Sequence, residues 1–524
     1  MSSPTAYLRR KLIALLLLGV LTIVAYAEPE PALDCGNADC SESDMHPDFF
    51  SHTSPHSRSN DPEATSDYWL QKGKDFVRKQ ASLRLNKRVA KNVILFLGDG
   101  MGLTTFTAAR DLLGGTQAQL AFEKFPYTGF SMTYSVNTMV PDSACTSTAY
   151  LCGIKANHGT IGVNAQIERS DCAGMNDTTN HVHSIAKWAL DAGKSAGLVT
   201  TTRVTHASPA GVYAHVADRE WEDDAALAED CGADSGLPDI ARQLIHGEVG
   251  KQLKVILGGG KREFIDSEFY KKGRRQDGRN LIEEYLQQSS ANAYVETREE
   301  LQSVDLNSYD RLLGIFGKSH LDYHIDSEET QPTLKEMTVR AIEMLQMNNS
   351  KGYFLFVEGG RIDTAHHDNM AEYALDETVE FSKAIQAARD MTSEEDTLIV
   401  VTADHSHSFT ISGYQDRDRE LTEIAPAEAT DDQSYLILSY ANGPGFEDYY
   451  NTEKNKRRNP EKTRKKVSTF PATAPLDSAT HGGEDVAVFA SGPWAHLFTG
   501  VYDQNTIPHI MAYASCVGEG LKAC

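Results

Sequence analysis

The chain has 524 residues, 40% of them apolar and 24% charged, and carries a formal net charge of −24. Length and composition point to a globular protein with one large core, alone or with insertions, and exclude an intrinsically disordered chain. The acidic balance argues against nucleic acid as a partner, because a phosphate backbone calls for clustered Lys and Arg. It leaves small phosphorylated molecules open, since bound cations invert the local charge of a carboxylate-lined site.

The chain opens with Arg9, Arg10 and Lys11, an apolar run from Leu12 to Ala25, and the small-residue pattern Ala25-Tyr26-Ala27. This layout predicts a secretory signal peptide over residues 1–27, cleaved before Glu28. An uncleaved anchor is the alternative, against which the run is short of the roughly 20 residues of a membrane span. Residues 28–65, rich in Pro, Ser, Asp and His, predict an extended leader before a domain over 66–524.

From about residue 90, apolar runs alternate with amphipathic segments. Val93–Leu97, Leu198–Thr201, Val255–Leu257, Tyr353–Val357, Leu398–Val401 and Val486–Ala490 have the continuous apolar character of strands buried on both faces. Ser184–Ala192 and Lys335–Met347 carry helical periodicity between them. The expected fold is α/β, a large central, mostly parallel sheet sandwiched between helices. Residues 409–480 break the alternation and read as a polar insertion. Its basic stretches, Lys454 to Arg458 and Arg464 to Lys466, read as a solvated loop first and an anionic-surface site second.

Three apolar runs end in acids, two of them also in histidines: Gly98-Asp99-Gly100, then Glu358-Gly359-Gly360-Arg361-Ile362-Asp363-Thr364-Ala365-His366-His367, then Thr402-Ala403-Asp404-His405-Ser406-His407. Ligands of open α/β sheets sit beyond the carboxyl ends of the strands, so these groups converge. Asp with His suits zinc, and all-oxygen sets suit magnesium. Asp363 and His367, four apart, share a helix face, which turns His366 away towards packing. In Pro141-Asp142-Ser143-Ala144, Ser143 opens a helix. Alone, it reads first as an N-cap. As a nucleophile it would profit from the positive end of the helix.

Phe96-Leu97-Gly98-Asp99-Gly100-Met101-Gly102, Pro141 to Ala144, Val357 to Asp363, Thr402 to Ser406 and Thr480-His481-Gly482-Gly483-Glu484-Asp485 together resemble the motifs of the alkaline phosphatases, closest to the animal, tissue-type enzymes. The resemblance runs from about 65 to 524 in the family's order. It implies hydrolysis of phosphate monoesters through a phosphoserine on Ser143, with two zincs and a magnesium. Asp363, His367 and His481 would hold one zinc. Asp99, Asp404 and His405 would hold the other, with Ser143 as its exchangeable ligand. Asp99, Ser208 and Glu358 would take magnesium, with His206 beneath it, and Arg219 would clamp phosphate. A homodimer and a crown-like role for 409–480 are implied as well.

There are departures from the family pattern. Thr364-Ala365 stands where relatives carry histidine and glycine, which puts catalytic tuning in doubt. Gly317 and Gln331 stand where acids of a fourth, calcium-like site would be, so that site is expected to be absent or weak. Phosphodiesterase or sulfatase chemistry and a non-catalytic relative of the fold are the competing readings. The eight cysteines fit an oxidising compartment. Cys35 with Cys40 and Cys516 with Cys524 are natural local pairs, Cys172 with Cys231 would close a longer loop, and Cys145 and Cys152 read as buried free thiols; spacing alone leaves the connectivity open. Asn176 and Asn348 open sequons. No hydrophobic tail surrounds Lys522-Ala523-Cys524, so a soluble secreted protein without a GPI anchor is expected.

Overall fold

Asn92–Gly98 is apolar at almost every position because both faces of this strand, β1, are covered. Val93, Leu95 and Leu97 enter one hydrophobic core, whereas Ile94 and Phe96 enter another on the opposite face. The same partition splits Phe354 and Phe356 from Leu355 and Val357, and Leu398 and Val400 from Ile399 and Val401. This is period-2 alternation with two apolar sides. Each fully buried Phe of these strands contributes about 1.5–3 kcal/mol of transfer free energy.

The computed structural model describes residues 62–524, apart from positions 328, 416, 418, 427 and 428. The signal peptide, all of the leader but its last few residues, and the Cys35–Cys40 pair lie outside the described residues. Residues 66–524 form one unit.

Its main sheet has ten strands. After β1 come β2 (Tyr127–Met132), β3 (Ser195–Arg203), β4 (Val255–Gly259), β5 (Asn292–Val295), β6 (Arg311–Ile315), β7 (Tyr353–Gly359) and β8 (Thr397–Thr402). Beyond the insertion, β16 (Val486–Ser491) and β17 (Gly500–Asp503) complete it. The spatial order is β17-β2-β16-β8-β1-β7-β3-β4-β6-β5. Only β16 runs against its neighbours; every other pairing is parallel. Helices Ile185–Asp191 and Thr506–Ser515 cover one face, and Leu334–Gln346 and Ala371–Met391 the other. The α/β expectation holds.

Between β8 and β16 the chain leaves the sheet. Ser406–His407 (β9) pairs antiparallel with His481–Gly482 (β15), so residues 408–480 depart and return through one two-stranded stem. Beyond it, Phe409–Ile411 (β10), Leu438–Gly443 (β11) and Ala472–Pro475 (β14) form a small sheet, and Tyr450–Asn451 (β12) pairs with Lys456–Arg457 (β13). Disulfides join Cys172 to Cys231 and Cys516 to Cys524, while Cys145 and Cys152 are free and buried, as expected. Asn176 and Asn348 are exposed. No helix among the described residues is long and apolar enough to cross a membrane.

Candidate active site

The central strand β1 has β8 on one side and β7 on the other, with β3 beyond β7. Register places Leu97 beside both Glu358 and Thr402, and Thr200 beside Glu358, so the carboxyl ends of β1, β7 and β8 lie level and β3 runs on past them to Arg203. Each delivers a polar residue as its strand gives out: Asp99 follows β1, Glu358 ends β7, Asp404 and His405 follow β8, and Ser208 follows β3. All are fully buried. Gly100 turns the chain after Asp99 at φ +67°, and a Cβ there would stand 2.7 Å from His407 Cδ2. Any side chain at this position would collide with the site.

The helix Ser143–Ser147 brings the serine. Its N-cap is Asp142, whose Oδ1 accepts from the Cys145 amide at 3.3 Å. Ser143 is therefore the first helical residue rather than the cap, and its hydroxyl is released from capping. Ser143 Oγ lies 3.2 Å from His405 Nε2 and 3.5 Å from Asp99 Oδ1. Ser208 Oγ lies 3.4 Å from Asp99 Oδ2.

Hydrogen bonds sort the histidines by tautomer. A carbonyl oxygen can only accept, so the ring nitrogen facing it carries the proton. His367 Nδ1 meets Ala479 O at 2.6 Å, His481 Nδ1 meets Pro141 O at 2.8 Å, and His405 Nδ1 meets Ser406 O at 3.2 Å. All three therefore turn an Nε2 lone pair into the site. There the Nε2 atoms of His367 and His481 are 3.1 Å apart, and His405 Nε2 is 3.2 Å from Asp404 Oδ2. Two lone pairs facing each other need a cation between them. His407 differs: its Nε2 is 2.5 Å from Asp363 Oδ1, and a carboxylate accepts, so this ring donates to and orients Asp363. His366 packs between the Thr105 hydroxyl and Tyr440 Oη, as its position on the helix Arg361–His367 predicts.

Several buried oxygens are also left over. Asp404 Oδ1 accepts from the amides of Gly100 and His405, yet Oδ2 has no hydrogen-bond donor. Glu358 Oε2 accepts from the Thr200 and Thr202 hydroxyls, yet Oε1 has none. Burial pushes the Asp404 and Glu358 carboxyls up to about 7. Burial, reinforced by the charges of Asp404, Asp363 and Glu358, pushes Asp99 well above the carboxylate range. Asp363 goes the other way: against burial, the imidazoles of His367 and His407 hold it well below that range. Burial lowers His405 to about 4, and His407 and His481 to about 3, so all three rings are neutral at pH 7. Carboxylates that cannot all ionise, beside neutral imidazoles with inward lone pairs, fit divalent cations. Three overlapping groups have ligand atoms close enough to share one: Asp363 with His367, His407 and His481; Asp99 with His206 and Glu358; and Asp99 with Asp363 and His405.

Arg219 reaches the site through the cap of the serine helix. It donates from one terminal nitrogen to Asp142 Oδ2 at 3.0 Å, and the other stands 3.2 Å from His206 Nε2. The guanidinium can only donate, so His206 accepts through Nε2 and supports the arginine from below. Burial, together with the nearby Arg219 charge, drives His206 well below its usual range, consistent with a neutral ring. Asp142 thus does two jobs, capping the serine helix and fixing the Arg219 guanidinium. Burial works to raise the Asp142 carboxyl, but the charges of Arg219 and His158 and the hydrogen bonds from Gly159 and Cys145 together hold it well below the usual range. Thr364 turns its hydroxyl to Arg361, at 3.1 Å from both the Arg361 terminal nitrogen and its carbonyl, and that guanidinium lies 3.7 Å from the centre of the Tyr323 ring. Gln331 Oε1 accepts from the Asp322 amide, and Gly317 O from the Gly260 and Lys261 amides.

The expected site residues Asp99, Ser143, His206, Ser208, Arg219, Glu358, Asp363, His367, Asp404, His405 and His481 lie together at this one place. Sequence reasoning missed three supports. His407 sits two residues after His405, and strand alternation is the signal that would have found it. Asp142, and the Thr200 and Thr202 pair, act on partners remote in sequence and leave no local signal.

A family model for alkaline phosphatase matches residues 90–517. A membrane-bound alkaline phosphatase of Bombyx mori is 45% identical over 88% of this chain and 87% of its own length. The tissue-nonspecific alkaline phosphatase isozyme of Homo sapiens is 44% identical over 88% of this chain and 91% of its own. Among solved structures, the alkaline phosphatase of Thermus thermophilus superposes with a TM-score of 0.61 at 24% identity, covering 84% of this chain and 94% of that one, and shows the same fold. The chain belongs to the alkaline phosphatase family. It is a phosphomonoester hydrolase.

Two expected results follow from the geometry. Arg219→Lys keeps the charge but loses the planar two-pronged donor. It should lower kcat/KM for p-nitrophenyl phosphate on the order of 10²-fold, the scale of removing one preorganised donor. His407→Ala leaves Asp363 Oδ1 without its donor and should weaken retention of a divalent cation, with zinc as the probe, about 10–100-fold. A competition titration against a chromogenic chelator would measure it. Unchanged zinc affinity would mean that His407 only fills space.

Proposed function

We propose that hydrolysis runs through a phosphoserine on Ser143, in a site that holds two zinc ions and one magnesium. Asp363, His367 and His481 hold one zinc. Asp99, Asp404 and His405 hold the other beside Ser143, and Asp99, Ser208 and Glu358 hold magnesium. The inward Nε2 lone pairs of three imidazoles and the orphan oxygens of Asp404 and Glu358 support this division. Bound there, the cations would acidify the serine hydroxyl and a water molecule and neutralise phosphoryl oxygens.

Ser143 Oγ attacks phosphorus as its proton departs, and the bond from phosphorus to the ester oxygen breaks to release the alcohol. Arg219 holds two phosphoryl oxygens through that displacement. In the second half, water attacks phosphorus, the bond to Oγ breaks, and inorganic phosphate leaves with Ser143 restored. Two in-line inversions give net retention at phosphorus. The observation that carries this reading is the release of Ser143 from capping by Asp142, which points Oγ at His405 and Asp99 beneath Arg219.

In the testing experiment, purified protein with zinc and magnesium turns over p-nitrophenyl phosphate, and an acid quench traps labelled phosphate on the peptide containing Ser143. Label on another residue, or none during active turnover, would overturn it. Extracellular secretion and homodimerisation belong to the same proposal. The disulfides Cys172–Cys231 and Cys516–Cys524 support the first. The exposed Trp69, Leu70, Phe76 and Val77 of the helix Ser66–Ser82 support the second.

A further inference from the structure

Residues 454–466 concentrate eight Lys and Arg side chains against one carboxylate, Glu461, in a chain of formal net charge −24. Two of the eight are held by ion pairs, and Arg458 Nε donates to Tyr450 O at 3.1 Å. Arg457 donates from Nε to Asp431 Oδ2 at 3.0 Å, pinning the β12–β13 pair to the preceding loop. Arg464 pairs with Glu372 and lays its guanidinium 4.3 Å from the centre of the Phe470 ring. The other six, Lys454, Lys456, Arg458, Lys462, Lys465 and Lys466, are exposed and form no ion pair among the described residues. Two nearby acids are already occupied, Asp431 by Arg457 and Asp448 by the Thr469 hydroxyl.

These six cations are ordered. Lys456 and Arg458 alternate along the β13 arm, with Lys454 in the turn before them. Lys462, Lys465 and Lys466 stand at i, i+3 and i+4 on and just beyond the helix Pro460–Arg464, so they share a face. Next to both rows opens a cleft of about 730 Å³ whose lining includes the rings of Tyr435, Phe446, Tyr449 and Tyr450 together with Arg457 and Arg458. A cation row matches any polyanion. A concave aromatic cleft beside it suits a ring with an apolar face and anionic substituents, as a pyranose of a sulfated sugar chain has, and does not suit a flat bilayer surface.

We propose that this face of the insertion binds a linear sulfated polysaccharide, the aromatic cleft taking a sugar ring and the lysine rows its sulfates. The interaction is separate from the chemistry: none of these residues belongs to the active site. It would hold an otherwise acidic phosphatase on an anionic matrix, with its catalytic groups carried by the main sheet.

The test titrates the full chain with size-defined heparin oligosaccharides at several salt concentrations, beside the quadruple variant Arg458→Ala/Lys462→Ala/Lys465→Ala/Lys466→Ala. Turnover of p-nitrophenyl phosphate in the same samples reports folding and should not change. The expected result is a dissociation constant raised by about 10-fold or more in the variant, with a shallower dependence on log salt, because fewer counterions are released. Equal constants for the two proteins would overturn the proposal. So would tighter binding of the wild type to phosphatidylserine vesicles or to single-stranded DNA of matched charge. Tyr450→Ala tests the cleft by itself: weaker heparin binding at an unchanged salt slope supports the stacked ring, and an unchanged constant removes the cleft from the site.

Discussion

Dialysis against a chelator at neutral pH is expected to lower p-nitrophenyl phosphate turnover by on the order of 10³-fold or more, about 4 kcal/mol of transition-state stabilisation. Zinc and magnesium together should restore it. The expectation comes from electrostatics. Asp99, Glu358, Asp363 and Asp404 are all buried within one site. With no divalent charge, burial keeps Asp404 and Glu358 protonated up to about pH 7, and Ser143 has no partner able to stabilise an alkoxide. His405 cannot substitute as a general base, because burial holds its ring at about 4, too weak to take a serine proton at the pH of assay. Stability should fall with activity. An ion that binds only the folded chain stabilises it by about 4 kcal/mol when its free concentration is roughly a thousandfold above Kd. Melting scans before and after chelation would show the loss. Turnover that survives exhaustive chelation, with metal analysis confirming removal, would sink the metal assignment.

How much of this was legible in the sequence depended on whether a feature expresses itself locally. The strands β1, β7 and β8 were plain because burial on both faces forces a continuous apolar run. The strand β2, Tyr-Thr-Gly-Phe-Ser-Met, was not, since several of its side chains stay exposed and the hydrophobic signal is diluted. The strand β5, at one edge of the sheet, is hidden by its four-residue length, and β6 beside it by Gly314, which breaks its apolar run after Leu312 and Leu313. Leu198–Thr201 was recognised as a strand, but β3 runs on through Thr202 and Arg203. Its threonines do not look like core residues because they serve Glu358, 158 and 156 positions away. The site divides in the same way. Asp99, Glu358 and Asp404 announce themselves by following apolar runs. Asp142 takes the capping place that the sequence suggests for Ser143, and its second role needs Arg219, 77 residues on.

Ser143→Ala is expected to abolish phosphate labelling and to lower kcat on the order of 10³-fold or more, the scale seen when a nucleophile acting in concert with its partners is deleted. The substitution is unusually clean. Ser143 is buried, makes no capping bond, and meets only His405 and Asp99 through Oγ, so the helix start, held by Asp142, should survive. Alanine is also the better helix former. Folding therefore does not account for the loss, and melting temperature should stay close to that of the parent. The variant also separates the two halves of the proposal. Phosphate affinity depends on Arg219 and the cation ligands, which the substitution leaves in place, so inorganic phosphate should still bind in an equilibrium titration. Residual hydrolysis would then come from water attacking the bound ester directly, in one displacement, and should proceed with inversion at phosphorus where the parent gives retention. A chiral phosphate ester reads that difference without reference to rate. Retention in Ser143→Ala, or labelled phosphate still covalently attached, would show that another side chain is the nucleophile.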